Sequence, residues 1–269
     1  MGPFLSERTF GIEVEVFHFP YGFFLPIDDG VMPPYRLPPE MKCAFENAGL
    51  RLGRDEGSWR FVEDHSIFGG GGIELLSPRL KGPGGLYEVR VALGILGTFG
   101  AGVNGSCGLH VHHDARDFGA RELRALLELM LNWEPLIYQA IPGNQGRMEK
   151  ACKPIPPAMA ELVKGRWGRE SPALRSLEEA WYGDAQESHR RERYHETRYH
   201  GLNLHSYWYR GTVEFRYMRG TLKGEVAESW ILFTHLLMEA VRGGSGGEAR
   251  RLLPVYYGRW RESLALLGS

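Results

Sequence analysis

The chain has 269 residues, 43% hydrophobic and 24% charged, a composition that excludes a disordered or fibrous chain and is long enough to bury a full core. Its 32 Lys and Arg nearly balance its 33 Asp and Glu; the net charge of -1 offers no basic footprint for a duplex, so no nucleic-acid partner is expected. No cationic leader followed by an apolar core and no run of eighteen apolar residues occurs, so neither secretion nor a membrane partner is expected. The three cysteines, Cys43, Cys107 and Cys152, show no metal-ligand spacing, and a reducing cytoplasm suits them.

In chain order, residues 9–17 predict a strand whose alternation puts Ile12, Val14 and Val16 on one face and Glu13 and Glu15 on the other. Two carboxylates one pleat apart repel unless a positive charge lies over them, and a divalent cation answers that economically. The stretch 19–39, with Pro20, Pro26, Pro33, Pro34, Pro38 and Pro39, predicts a folded loop near the site or a plain connection. A short helix follows at 39–48, with Gly49 as its stop. Residues 58–67 predict a second strand ending in a polar turn. The four glycines at 69–72 form a loop into the strand Ile73-Glu74-Leu75-Leu76, which Ser77-Pro78 ends. Leu86, Val89, Leu93 and Leu96 give 85–99 helical spacing and place it behind the sheet.

In 107–114, His110, His112 and Asp114 share one strand face while Leu109 and Val111 share the other. The clearest helix is 120–140, with Leu123, Leu126, Leu127, Met130, Leu131 and Trp133 set against Arg121, Glu122, Arg124 and Glu128. Between 145 and 198 the composition shifts to Arg, Glu and Lys, and Pro154, Pro156, Pro157 and Pro172 break it into short pieces. Within it, 187–193 predicts a solvated helix face, with an anion-binding rim as the second reading. Residues 201–206 and 212–218 predict a hairpin turning near Arg210-Gly211, with Glu214 and Arg216 on one face and Val213 and Phe215 on the other. Two helices, 224–242 and 255–267, complete the chain. Several strands with apolar backs and acid, imidazole or guanidinium fronts predict a single domain over 1–269 with a charged helical insert at 145–198, built on one sheet backed by helices.

Familiar signatures are absent. There is no GxxxxGK[ST] loop, no GxGxxG between a strand and a helix, and no GxSxG elbow. In His195-Glu196-Thr197-Arg198-Tyr199-His200 the second His falls one residue beyond the zinc-protease spacing, and the His110 to Asp114 run misplaces the acid of a binuclear hydrolase. Cys107 reads as a buried structural thiol.

Five blocks in order carry a resemblance: Phe10-Gly11-Ile12-Glu13-Val14-Glu15; Asp64-His65-Ser66-Ile67 with Gly72-Ile73-Glu74-Leu75-Leu76-Ser77-Pro78; Cys107-Gly108-Leu109-His110-Val111-His112; Leu202-Asn203-Leu204; and Thr212-Val213-Glu214-Phe215-Arg216 with Gly220-Thr221-Leu222. Together they resemble the amidoligase family, a branch of the carboxylate-amine ligases that includes glutamine synthetase and glutamate-cysteine ligase. The resemblance implies an α+β fold, a curved antiparallel sheet with a polar concave face and helices on the other. It implies an ATP-dependent enzyme forming an amide or peptide bond through an acyl phosphate, with Mg2+ or Mn2+. By the same resemblance Glu13, Glu15, Glu74, His110 and Glu214 are metal ligands and Arg216 binds phosphate. Asp64 is the candidate base, with Glu63 behind it, although His65 stands where the family has glycine. His112 and Asn203 join the substrate or nucleotide site, and Arg147 or Arg198 supplies a further substrate arginine. The substrate partners implied are a small-molecule or peptide carboxylate and an amine, and an oligomer is compatible with the resemblance. The same acids would also serve a divalent-metal-dependent hydrolase or a non-catalytic metal- or peptide-binding protein.

Overall fold

The computed structural model describes residues 6–17, 30–67, 72–143, 145–165, 173–184, 186–242 and 246–268. Most of the proline-rich stretch at 19–39, three of the four glycines at 69–72, and Pro172 lie outside the described residues. The protein is α+β, an open six-stranded antiparallel sheet with helices. Its strands are β1 (Phe10–Val16), β2 (Arg60–Glu63), β3 (Ile73–Leu76), β4 (Gly108–Asp114), β5 (Leu202–Asn203) and β6 (Thr212–Arg219), in the order β2-β3-β1-β4-β6-β5.

The helices are α1 (Pro39–Asn47), α2 (Gly82–Thr98), α3 (Ala120–Ala140), α4 (Gln145–Lys150), α5 (Pro157–Lys164), α6 (Leu174–Tyr182), α7 (Glu187–Arg191), α8 (His205–Arg210), α9 (Gly224–Val241) and α10 (Gly246–Ser263). Short 3-10 turns occupy Pro34–Arg36, Glu196–Tyr199 and Leu264–Gly268. The chain divides into two compact units. One comprises Met1–Val111, Met218–Leu232 and Gly258–Ser269, the other His112–Tyr217 and Phe233–Tyr257.

In the first unit, register explains the sorting of side chains. Val14 pairs with Leu75 and Val16 with Ile73, and Phe61 of β2 lies opposite Leu75, so one face is a buried apolar layer. One residue away, Glu15 lies opposite Glu74 on the other face. Leu86, Val89, Leu93 and Leu96 of α2 are buried, as the helical spacing predicts. Gly220 donates its N–H to the Cys107 carbonyl at 2.7 Å, and a Cβ there would stand 2.6 Å from the Cys107 Cβ. The close approach of these two backbones is what requires the glycine.

In the second unit, α3 buries Leu123, Leu126, Leu127, Met130 and Ile137 in one stripe, and Glu134 falls in the same stripe. Its carboxylate accepts from the Tyr217 hydroxyl at 2.8 Å and from the Ile155 N–H at 3.2 Å, tying β6 and the segment before α5 to the helix. Burial pushes its pKa up to about 7, against the lowering effect of those two donors.

Two elements differ from the sequence reading. The expected strand at 201–206 is only Leu202–Asn203, and a short helix, α8, replaces a tight hairpin before Gly211 turns the chain at φ 75° into β6. The Tyr207 hydroxyl donates to the Phe118 carbonyl at 2.8 Å, so a tertiary contact holds an aromatic run that local propensity assigns to a strand. The last helix starts at Gly246 rather than 255 and carries Pro254 inside it. Buried Ala249, Leu253, Tyr256 and Trp260 keep a helical period on both sides of that proline.

Candidate functional site

In the first unit, β1, β3 and β4 bring the expected acids together. Glu15 and Glu74 stand directly opposite each other, and the Gly108 N–H donates to Glu15 Oε2 at 2.6 Å. The buried His110 ring lies over the pair on β1, with Nδ1 3.5 Å from Glu13 Oε2 and Nε2 3.6 Å from Glu15 Oε1. Both separations exceed a hydrogen bond. Asp64 sits in the turn after β2, where its Oδ1 accepts from the Ser66 N–H at 2.8 Å and its own N–H donates to the Gly72 carbonyl at 3.0 Å.

Two sets of potential ligands result. One atom each from Glu13, Glu74 and His110 lies within 4.8 Å of the others, and so does one atom each from Glu15, Asp64 and Glu74. Ligand atoms about 2.1 Å from a magnesium-sized ion stand about 3 Å apart when adjacent and about 4.2 Å apart when opposite. The two sets, with Glu74 common to both, are candidate ligands for a pair of hard divalent cations once drawn in from the 4.8 Å bound. Mostly carboxylate oxygens, with one imidazole, suit Mg2+ or Mn2+. Glu63 belongs to β2, where its Cα partner is Ile73.

In the second unit the other expected residues gather around Glu214. Its Oε2 accepts from Asn203 Nδ2 at 2.6 Å and its Oε1 from Arg216 Nη1 at 2.6 Å, all three side chains being buried. His112 Nε2 stands 3.7 Å from Glu214 Oε1, while Nδ1 meets Thr212 Oγ1 at 3.1 Å and Ser206 Oγ at 3.3 Å. Arg147 is buried beside them, with Nη2 donating to the Arg216 carbonyl at 3.4 Å. The Arg216 guanidinium also donates from Nε to the Ala151 carbonyl at 3.3 Å and lies over the Tyr199 ring. Arg198 lies over the same ring, 5.4 Å from its centre. The arginines named at 147, 198 and 216 thus share one neighbourhood, with Glu214 and Asn203 fixing the orientation of Arg216. Asp114 points elsewhere, its carboxylate bridged to Arg116 at 2.5 Å. His113 is on the apolar side of β4, 2.8 Å from Thr234 Oγ1.

Sequence reading overlooked two groups. Glu134 was hidden in an apolar helix, yet its phase, four residues after Met130 and three before Ile137, marks it as inward-facing. His189 and Glu192 were passed over as part of the charged run 187–193, and His195 was weighed only against the zinc-protease spacing, although a repeat of three residues was visible.

Paired acids with an imidazole, and a guanidinium clamped by a carboxylate, are the donor sets that chemistry on anionic substrates requires. The family described as "Putative amidoligase enzyme" matches residues 44–238, and the chain belongs to it: this is an enzyme of the amide-forming ligase type. No curated protein matches the chain. The family match takes in Asp64, Glu74, His110, Asn203, Glu214 and Arg216, whereas Glu13 and Glu15 lie before it and are joined to Glu74 by the β1–β3 register. Among the described residues no helix is long and apolar enough to cross a membrane.

Proposed function

We propose that this protein is an ATP-dependent carboxylate-amine ligase that makes an amide or peptide bond through an acyl phosphate. The observation that carries the reading is the pairing of Glu15 with Glu74 across β1 and β3, with His110, Glu13 and Asp64 completing two three-ligand sets. Carboxylates gathered this closely repel one another, and cations offset that repulsion. The open sheet with acids on one face is also what a curved glutamine-synthetase-type catalytic fold needs.

Glu13, Glu15, Glu74 and His110 would hold the Mg2+ or Mn2+ ions. When bound, such ions neutralise phosphate oxygens and let two anions, ATP and a carboxylate, approach. Arg216, kept in one orientation by Glu214, presents its guanidinium to the transferring phosphoryl group. The substrate carboxylate attacks the γ-phosphorus, ADP departs, and an acyl phosphate forms. The amine then attacks the acyl carbon and phosphate leaves. Asp64 is the group proposed to take the amine proton. Arg147 and Arg198 supply positive charge for a substrate carboxylate, so amino acids and peptides are the proposed carboxylate class. The amine is an amino acid, peptide, amino sugar or protein side chain.

The test is ADP release over pairs of carboxylates and amines, with Mg2+ and with Mn2+. ADP that accumulates only when both substrates and a divalent ion are present supports the ligase. Metal-dependent release of phosphate from an ester without ATP would point to a hydrolase instead.

A further inference from the structure

In the second unit, the segment from Gln186 to Arg198 makes four i to i+3 backbone turns. The N–H groups of His189, Glu192, His195 and Arg198 donate to the carbonyls of Gln186, His189, Glu192 and His195 at 3.1, 3.3, 3.3 and 3.0 Å. The backbone is extended at Glu192 (φ -85°, ψ 105°) and at His195 (φ -56°, ψ 137°), and the turns around them bring His189, Glu192 and His195 together, one ligand atom from each lying within 4.8 Å of the other two. His189 Nδ1 and His195 Nε2 are 3.1 Å apart. Two nitrogens bound to one tetrahedral zinc stand about 3.4 Å apart, given bonds of about 2.0–2.1 Å.

The surroundings resemble those of a built metal site. The other nitrogen of His189, Nε2, lies 2.8 Å from Asp184 Oδ1, the carboxylate contact that fixes the ring of a metal-ligating histidine. The other nitrogen of His195, Nδ1, lies 2.9 Å from Thr197 Oγ1. Tyr182 stacks on the His189 ring at 5.2 Å and meets the His195 ring edge-on at 5.0 Å. Its hydroxyl is 2.6 Å from His205 Nδ1, and His205 Nε2 is 2.9 Å from the Glu192 carbonyl, so the backbone of the middle residue is pinned as well.

We propose that His189, Glu192 and His195 form a binding site for a first-row divalent transition ion, zinc by preference, with Asp184 as the supporting carboxylate. Two imidazoles and one carboxylate are a softer set than the acids of the first unit, and zinc takes such a set with a fourth position left to water. Glu192 faces solvent, which gives the ion a way in. The bound ion fastens the 3-10 turn Glu196–Tyr199, which carries Arg198 and Tyr199. The proposal does not depend on the ligase reading.

The experiment strips the full-length protein with a chelator and titrates it with Zn2+ alone against a chromogenic competitor. Wild type, Asp184→Asn, His189→Ala, His195→Ala and Glu74→Ala are compared, each checked for fold by circular dichroism. Expected are a zinc equivalent that is present in wild type and kept in Glu74→Ala whatever the acids of the first unit take up, affinity for it about 10-fold weaker or worse in Asp184→Asn, and loss of at least about 100-fold in either histidine variant. The exposed Asp184 change keeps the test valid if a histidine variant does not fold. A wild-type protein that takes up no zinc overturns the site, because the imidazole contacts are then hydrogen bonds alone. Uptake undiminished by the histidine and Asp184 changes, or lost altogether in Glu74→Ala, assigns the ion to the acids and overturns it too.

Discussion

Arg216 and Glu214 are mutually dependent, and the two obvious substitutions test different things. Arg216→Ala leaves a buried carboxylate without its cation, a change that costs about 3–5 kcal/mol in typical buried pairs. Arg216→Lys keeps the charge and loses the forked geometry. We expect Arg216→Lys to fold with near wild-type stability and to lose about 100-fold or more in ADP release. Wild-type turnover in that variant would remove Arg216 from the chemistry.

Glu134 makes a prediction about pH. Its folded pKa is about 7 and its unfolded value about 4.5. Between these values the folded chain keeps a proton that the unfolded chain has released. Stability from this group is therefore fully present below about pH 4.5, falls as pH rises toward 7 and is flat above it; the total is on the order of 3 kcal/mol. Glu134→Gln stays neutral and still accepts from the Tyr217 hydroxyl. Chemical denaturation at pH 5 and pH 8 will show wild type losing stability relative to Glu134→Gln at the higher pH. Parallel behaviour of the two proteins would mean that the carboxyl titrates normally.

At the scale of elements, glycines report how closely backbones pass. A Cβ at Gly201 would meet the Tyr217 ring at 2.2 Å, and one at Gly220 would meet Cys107. Gly201→Ala and Gly220→Ala are each expected to cost about 1–3 kcal/mol in urea denaturation, since neither neighbour is the end of a flexible chain. A cost under about 0.5 kcal/mol would mean that the strands shift freely.

How far elements were legible depends on what holds them. The helix at 120–140 and the alternation of β1 are written in local periodicity, and both elements stand where that periodicity places them. The acids fall on one face of β1 for the same reason. The strand expected at 201–206 ran two residues too far, into His205 and Ser206, because the helix His205–Arg210 is held by the contact of Tyr207 with Phe118 and by the turn at Gly211 rather than by local propensity. Arg147 was named from the sequence only as one of two candidate substrate arginines, with Arg198. Its burial beside Arg216 is a tertiary fact that no spacing announces.

At the scale of the whole molecule, family membership rests on residues 44–238, and the finer chemistry rests on side chains both inside and before that span. If Glu13 and Glu15 serve the same ions as Glu74, then removing any of the three should abolish Mn2+-dependent ATP binding while leaving the fold intact. The most direct measurement is calorimetric titration of Mn2+ and ATP into wild type and Glu74→Ala. The account predicts saturable binding to wild type and a loss of about 100-fold or more in Glu74→Ala, the residue common to both ligand sets. Equal binding by the two proteins, or none by either, would contradict it.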